Sequence, residues 1–379
     1  MIDVLDDGSE GTSEVVRLLR WLVQQESTTG GAGERRALAA VAERMRELVG
    51  ASGVVSVAPD RDACLVRPTT DGGPVLLFAC HVDTVPVGDP ERWTHPPLSA
   101  RIVDGLLHGR GSSDMKAGLA AAMCTVADGL AAGARVALAV TTGEEAGCLG
   151  APSAAQLLAG TDVAAVVIPE STGNRIALGH RGAYWLTVSA AGVAAHGSTP
   201  ERGRNAVLAL ASTLGELESL PLRRHDDLGT ESVNVGVFSG GLVHNIVPAH
   251  ASAAVDHRIV RPDASALHAW WAERVDEVRV DLELAPVWSS SDDAWIRRLP
   301  AAVSPDPVAY FTDASVLVGR LPEGTPIVVW GPGDPAVVHS VDEHVAVTAV
   351  EEALSLFRRA VADWPSAGAA SDSRDMSRP

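Results

Sequence analysis

Lysine is almost missing from this 379-residue chain, and Lys116 is the only one. Arginine therefore supplies nearly all of the positive charge, a bias we attribute to genome composition. Even so, 30 Lys and Arg face 48 Asp and Glu, for a formal net charge of -18. So acidic a chain argues against non-specific nucleic-acid binding, which needs a basic face. Cysteine is sparse as well. Cys64, Cys80, Cys124 and Cys148 form no CxxC pair, so no disulfide framework is expected. The apolar or Ala/Gly-rich surroundings of the last three predict small buried thiols in a reducing compartment. No apolar run approaches the roughly 20 residues that span a bilayer. The acidic stretch 1–10 has no apolar signal core. The expectation is a cytoplasmic globular protein with no membrane or nucleic-acid partner. Its length is comfortable for two domains.

Apolar spacing predicts helices over 13–24, 33–49, 116–132 and 153–158. Strands are predicted over 54–57, 63–66, 75–79, 136–141 and 163–168, the last two as fully buried runs. Alternation of this kind indicates an α/β sandwich around a mostly parallel sheet. Near Ile176 the texture changes. Residues 183–188, 232–238 and 249–259 alternate apolar and polar, with helical stretches at 205–217 and 264–278. These make a small α+β layer of roughly one hundred residues. The α/β character returns with a strand at 327–330 and a helix at 345–362. The predicted fold class is therefore an α/β catalytic domain with a mostly parallel central sheet, interrupted by an inserted α+β domain. Residues 1–178 form its first part, 179–288 the insertion and 289–365 its second part, while 366–379 has the composition of a disordered tail.

Acids and histidines gather where these strands end. His81 and Asp83 lie in Cys80-His81-Val82-Asp83-Thr84-Val85-Pro86. Two residues apart on an extended segment, they project to the same side, and a carboxylate there can hold the imidazole in one tautomer. Asp114 follows the Gly-rich turn Gly109-Arg110-Gly111-Ser112-Ser113 and precedes an Ala-rich helix, a place an N-cap residue would also take. Glu144 and Glu145 end the 136–141 strand. Adjacent carboxylates beside an apolar run are costly unless cations or protons neutralise them. One can bind a metal while the other takes a proton from water. Glu170 ends the 163–168 strand, and His339 sits between Gly331-Pro332-Gly333-Asp334 and Asp342-Glu343. Separate strand ends each delivering a His, Asp or Glu is how a metal-dependent hydrolase assembles its site. Asp313 precedes a helix-like run, where an N-cap explains it. The Pro-rich loop 88–98 with Trp93 carries no catalytic expectation.

Six runs, at 81–86, 109–116, 142–147, 168–172, 195–200 and 331–345, together resemble the M20 family of zinc amidohydrolases. Within that family the resemblance is to the acetylornithine deacetylase and succinyl-diaminopimelate desuccinylase group, from about residue 15 to about residue 360. It implies two Zn²⁺ per chain, with Co²⁺ or Mn²⁺ as substitutes. It places His81 and Glu170 on one ion, Glu145 and His339 on the other, and Asp114 between them. Glu144 would be the general base and Asp83 the partner of His81. A cis peptide is implied between Asp114 and Met115. His196, in Ala195-His196-Gly197-Ser198-Thr199-Pro200, would reach a partner subunit's active site and help bind the oxyanion. Asn245 would lie near the substrate, and Arg258 would form a bidentate pair with a substrate carboxylate. Arg181 is a further candidate for substrate recognition, although a surface position explains it as well. Asp313 corresponds to a segment near the site. The inserted domain would serve for dimerisation and as a lid, giving a homodimer.

The expected activity is hydrolysis of a small N-acyl amino acid, N-acetyl-ornithine-like or N-succinyl-diaminopimelate-like. Three readings stand beside it. One is an aminoacylase, dipeptidase or carboxypeptidase-like enzyme of the same family, and another a deacylase of a specialised pathway or of a carrier-linked substrate. The third is a non-catalytic binding descendant, which should have lost donors that are all present here.

Overall fold

The computed structural model describes residues 12–70 and 72–364. The tail expected at 366–379 lies outside the described residues. The chain divides into two compact units. One comprises Met1–Gly179, Trp288–Val308 and Thr312–Pro379, the other His180–Val287 and Ala309–Phe311.

The first unit is built on a six-stranded sheet. In spatial order its strands are Gly53–Val57, Ala63–Pro68, Val136–Thr141, Val75–His81, Val163–Ile168 and Ile327–Val329. The last four run parallel to one another, and the first two pair antiparallel at one edge. Every residue of Val75–His81 and Val136–Thr141 is buried. That is why these strands read as continuous apolar runs rather than as alternation. Leu76, Phe78 and Cys80 join the core cluster that includes the apolar faces of the helices Glu14–Gln24, Ala32–Val49, Ala117–Ala131 and Val347–Ala362. Ala151–Leu157 packs against Ala63–Pro68 and Val136–Thr141 instead. Among the described residues, no helix is long and apolar enough to cross a membrane.

The second unit is a four-stranded antiparallel sheet in the order Ser232–Gly240, His250–Ile259, Gly182–Ala191 and Glu277–Leu284. Leu210 from the helix Ala206–Leu214, and Leu267 and Trp271 from Ser265–Ala272, share a core with Leu186, Val188, Ala253 and Val255 of the sheet. The helix expected over 264–278 stops at Ala272, and a strand begins at Glu277. Its sequence, Glu-Val-Arg-Val-Asp-Leu-Glu-Leu, has a period of two, and that wins over the helical pattern running into it. Likewise Val345 and Ala346, expected as the start of the last helix, belong to a short strand, His344–Ala346, that pairs with Leu106–His108.

Candidate metal centre

Parallel strands carry their C-terminal ends to one edge of a sheet, and the loops that follow build the site. His81 is the last residue of its strand and lies opposite Thr141 in register, so Glu144 and Glu145 emerge beside it. Glu170 follows the next parallel strand by two residues, its N–H bonded to the Ile168 carbonyl at 2.8 Å. Asp114 arrives from the other side, through a tight turn that needs Gly111 at φ 81°. A Cβ on Gly111 would also come within 2.6 Å of Thr84 Cγ2. The Asp114–Met115 peptide is cis. Asp114 caps no helix; its carboxylate faces two imidazoles.

The structure brings five of the expected donors together. His81 Nε2 is 3.4 Å from Asp114 Oδ1 and 3.2 Å from Glu170 Oε1. His339 Nε2 is 3.1 Å from Asp114 Oδ2 and 3.1 Å from Glu145 Oε2. Asp114 thus turns one oxygen toward each histidine. Single donor atoms of His81, Asp114 and Glu145 all lie within 4.8 Å of one another.

This donor set fits divalent cations. His81 Nε2 is buried and makes no hydrogen bond, although its ring is fixed by Nδ1, 3.0 Å from the Asp83 carbonyl. A tetrahedral zinc with bonds of about 2.0–2.2 Å holds its ligands about 3.4 Å apart, close to the N···O separations found. The electrostatics agree. Burial pushes Glu170 up to about 8 and Glu144 well above the carboxylate range. Hydrogen bonds to Asp114 and Glu145 hold His339 at about 10. Burial pulls His81 down, but Glu170 and the two aspartates outweigh it, so its pKa is raised. Without cations, His81, His339, Glu144 and Glu170 all hold their protons more tightly than usual.

Asp83 is fully buried and does more than face His81. Its carboxylate accepts from Thr29 Oγ1 at 2.8 Å and from the backbone N–H groups of Glu144 and Glu145 at 3.2 and 3.3 Å. It therefore ties the His81 loop to the turn that carries both glutamates. Thr29 was not expected, and no local signal marks it. Glu144 is buried in that turn. Asp313 was expected as an N-cap, but its side chain caps nothing; Thr141 Oγ1 donates to it at 2.5 Å.

The remaining expected residues lie in the second unit. His196 is exposed, its Nδ1 2.7 Å from Ser198 Oγ and accepting from the Ser198 N–H at 3.1 Å. His196 forms an isolated bridge with Ile246, and the Gly197 N–H donates to the Asn245 carbonyl, so Asn245 adjoins that bridge. Arg258 pairs with Asp256 at 3.1 Å, and its guanidinium lies over the Phe311 ring. Arg181 donates to the Thr230 carbonyl and to Ser232 Oγ. Ser232 is the cross-strand partner of Arg258, so the two arginines share one end of the sheet.

Residues 77–363 match Peptidase family M20/M25/M40. The chain is 32% identical over 337 residues to a probable succinyl-diaminopimelate desuccinylase of Staphylococcus epidermidis, covering 76% of this chain and 82% of that protein. Among solved structures it resembles the M20 family metallo-carboxypeptidase Sso-CP2 of Sulfolobus solfataricus, with a TM-score of 0.77, 16% identity, and 92% and 99% of the two chains covered. It also resembles a dinuclear metal-binding M20 peptidase of Bacillus subtilis, with a TM-score of 0.65, 14% identity, and 92% and 96% covered. The chain belongs to the M20 family and is a metal-dependent hydrolase of amide bonds.

Proposed function

We propose that this protein binds two Zn²⁺ ions and hydrolyses the amide of a small N-acyl amino acid, of the N-succinyl-diaminopimelate or N-acetyl-ornithine kind. The observation that carries the reading is Asp114, with one carboxylate oxygen facing His81 and the other facing His339. A single carboxylate shared by two histidine–glutamate pairs is a dinuclear arrangement. The desuccinylase relative at 32% identity supports the acyl-amino-acid substrate class, and the dinuclear peptidase supports the ion count.

In this reading His81 and Glu170 would hold one ion, His339 and Glu145 the other, and Asp114 would serve both. The bound ions supply Lewis acidity and lower the pKa of water to about 7. Glu144 is the proton carrier. It takes a proton on its carboxylate from the attacking water and delivers it to the leaving nitrogen. Asp83 keeps Glu144 in place through its N–H. Arg258 receives the substrate carboxylate, with Asn245 and Arg181 contributing to recognition.

We also propose that the second unit pairs two chains and that His196 serves the partner chain's reaction. The edge strand Ser232–Gly240 leaves Val237 58% and Phe238 42% exposed, and Leu208 of the helix Ala206–Leu214 is 66% exposed. Unpaired, apolar edges of this kind are normally covered.

The deciding experiment is turnover on matched N-succinyl- and N-acetyl-amino acids and dipeptides, with zinc-loaded and chelator-stripped protein. Zinc-dependent release of one amino acid from its acyl form is expected. Release only from dipeptides would replace this reading with a peptidase, and no turnover with two ions bound would remove it.

A further inference from the structure

Glu343 is completely buried, has no direct place among the five donors, and carries an unusual set of bonds. Arg110 Nη1 donates to its Oε2 at 2.6 Å, and the Gly111 N–H to the same oxygen at 3.1 Å. The N–H groups of Ser113 and Asp114 donate to Oε1 at 2.9 and 3.0 Å. One carboxylate therefore gathers three backbone amides of the turn that delivers Asp114, those of Gly111, Ser113 and Asp114, which converge on it as an anion-binding concavity. Arg110 is itself 4% exposed. Its Nη2 lies 3.5 Å from the His339 carbonyl, and its guanidinium lies over the Trp93 ring at 5.1 Å. Trp93 Nε1 in turn donates to the Val87 carbonyl. The Gly109 N–H donates to the Glu343 carbonyl, and Ser113 Oγ to the His344 carbonyl. Apart from the two contacts of Trp93, every one of these bonds joins the 109–114 turn to the 339–344 segment.

We propose that the Arg110–Glu343 pair is a positioning device that fixes Asp114 and His339 relative to each other, and thereby sets the affinity for the ion those two share with Glu145. The inference rests on the donor assignment given above and assigns roles to two residues outside it. The chain path explains why a brace is needed. His339 has φ 61° and sits on an irregular segment with a 47% exposed side chain, whereas His81 is anchored in a fully buried strand. The Asp114 turn is irregular too. Two donors on irregular segments about 225 positions apart in sequence hold a fixed separation only if something ties their backbones together. Here that tie is an ion pair with four donors on one carboxylate, shut away from water, where charge-assisted bonds are strongest.

The test is ion affinity by chelator competition, with Co²⁺ absorption reporting each site's geometry, on wild type, Glu343→Gln and Arg110→Lys. The amide of Glu343→Gln keeps the shape but offers one acceptor oxygen where the carboxylate has two. It must turn its NH₂ toward Arg110 or toward the backbone N–H groups. Losing such an outer partner typically costs 10–100-fold in metal affinity. The expected result is a loss of about that size and an altered Co²⁺ spectrum for the ion at His339, with a clearly smaller loss for the ion that Asp114 shares with His81. Arg110→Lys keeps the charge but gives up the fork that serves Glu343 and the His339 carbonyl together. It should weaken the same ion by a smaller factor, and it decides the matter alone if Glu343→Gln fails to fold. Equal weakening of both ions would make the pair a general structural support, and unchanged affinity for both would remove its role; either overturns the proposal. Wild type binding fewer than two ions would instead overturn the donor assignment beneath it.

Discussion

Replacing Gly118 by alanine tests whether the cluster depends on backbone placement as the geometry requires. Gly118 lies in the first turn of the helix Ala117–Ala131, against the segment that ends in Glu170. A Cβ built there would sit 1.8 Å from the Pro169 carbonyl oxygen and 2.7 Å from Pro169 Cβ. Contacts under 3.0 Å essentially never occur, so helix and Pro169 must part by about 1.2 Å. The obstacle is backbone, which cannot rotate away. Pro169 immediately precedes Glu170, whose Oε1 is 3.2 Å from His81 Nε2. Metal–ligand distances tolerate only about 0.2 Å, so the shift should weaken the ion held by His81 and Glu170. A misplacement near 1 Å costs about 10²-fold in rate, and that is the expected fall in kcat/KM. Propensity alone predicts the opposite for stability, since alanine in a helix interior gains about 0.5–1 kcal/mol over glycine. Overpacking costs about 1–3 kcal/mol, so Gly118→Ala should lower the Tm. Gly129→Ala in the same helix is the control. The nearest atoms its Cβ would meet all belong to side chains, Val136 Cγ1 and Val361 Cγ1 at 2.9 and 3.0 Å and Ala134 Cβ at 3.7 Å, and the two valine tips can yield. Calorimetric ion binding, steady-state kinetics and thermal unfolding of the two variants decide it. If Gly118→Ala gains stability and keeps its ions and turnover, the packing argument for Glu170 is wrong.

Three further outcomes follow from the site and the second unit. Glu144→Ala should retain both ions by elemental analysis while turnover drops by about 10²–10⁴-fold; turnover near wild type would exclude Glu144 as the proton carrier. Ion binding should release protons near pH 7, because His81 and His339 have raised pKa values and Glu170 stands at about 8 in the free cluster. Titration calorimetry in buffers of different ionisation enthalpy measures this, and affinity should rise with pH; proton uptake would contradict it. Val237→Lys on the exposed edge strand should convert dimers to monomers in sedimentation, whereas an unchanged dimer would place the interface elsewhere.

The parts of this structure that were legible in the sequence are those whose signal is local. Residues 136–141 and 163–168 are strands buried on both faces, so they appear as unbroken apolar runs, and the structure gives them those same bounds. Glu144, Glu145 and Glu170 stand out because acids directly after such runs need a reason, and Asp114 stands out by the Gly-rich turn before it. What was misread depends on distant partners. Val345 reads as the first residue of a helix until Leu107 pairs with it. Asp313 reads as an N-cap until Thr141, 172 positions away, supplies its bond. Thr29 and Glu343 escape for the same reason. Each bonds a site residue or its turn from 54 to more than 200 positions away, and no spacing rule reaches that far.

The same donors that suit cations burden the protein without them, and the burden has a sign. Burial pushes Glu170 from 4.5 up to about 8, and Glu144 moves the same way. An acid whose folded pKa is raised costs nothing below its unfolded value. It costs progressively more as pH climbs to the folded one, because only the unfolded chain lets it ionise freely. His339, held at about 10 against an ordinary 6.5, contributes stability in full below 6.5 and loses it as pH rises toward 10. Both effects lower stability as pH increases from about 5 to about 8, on the order of 3 kcal/mol for Glu170 alone. Lys116, lowered by burial to about 8, has the opposite sign but acts only above that interval, whereas His180 and His257, lowered by burial to about 4, raise stability as pH climbs to about 6.5. Above about pH 6.5 those two histidines change no further, so chelator-stripped protein should resist urea better near pH 6.5 than near pH 8. Glu170→Gln removes the buried acid and keeps its shape. The stripped variant should show a flatter profile and exceed stripped wild type near pH 8, while binding one ion less tightly. Parallel profiles for the two would show that Glu170 is not strained by burial. A donor whose removal stabilises the empty protein and weakens the loaded one is present for the cation rather than for the fold.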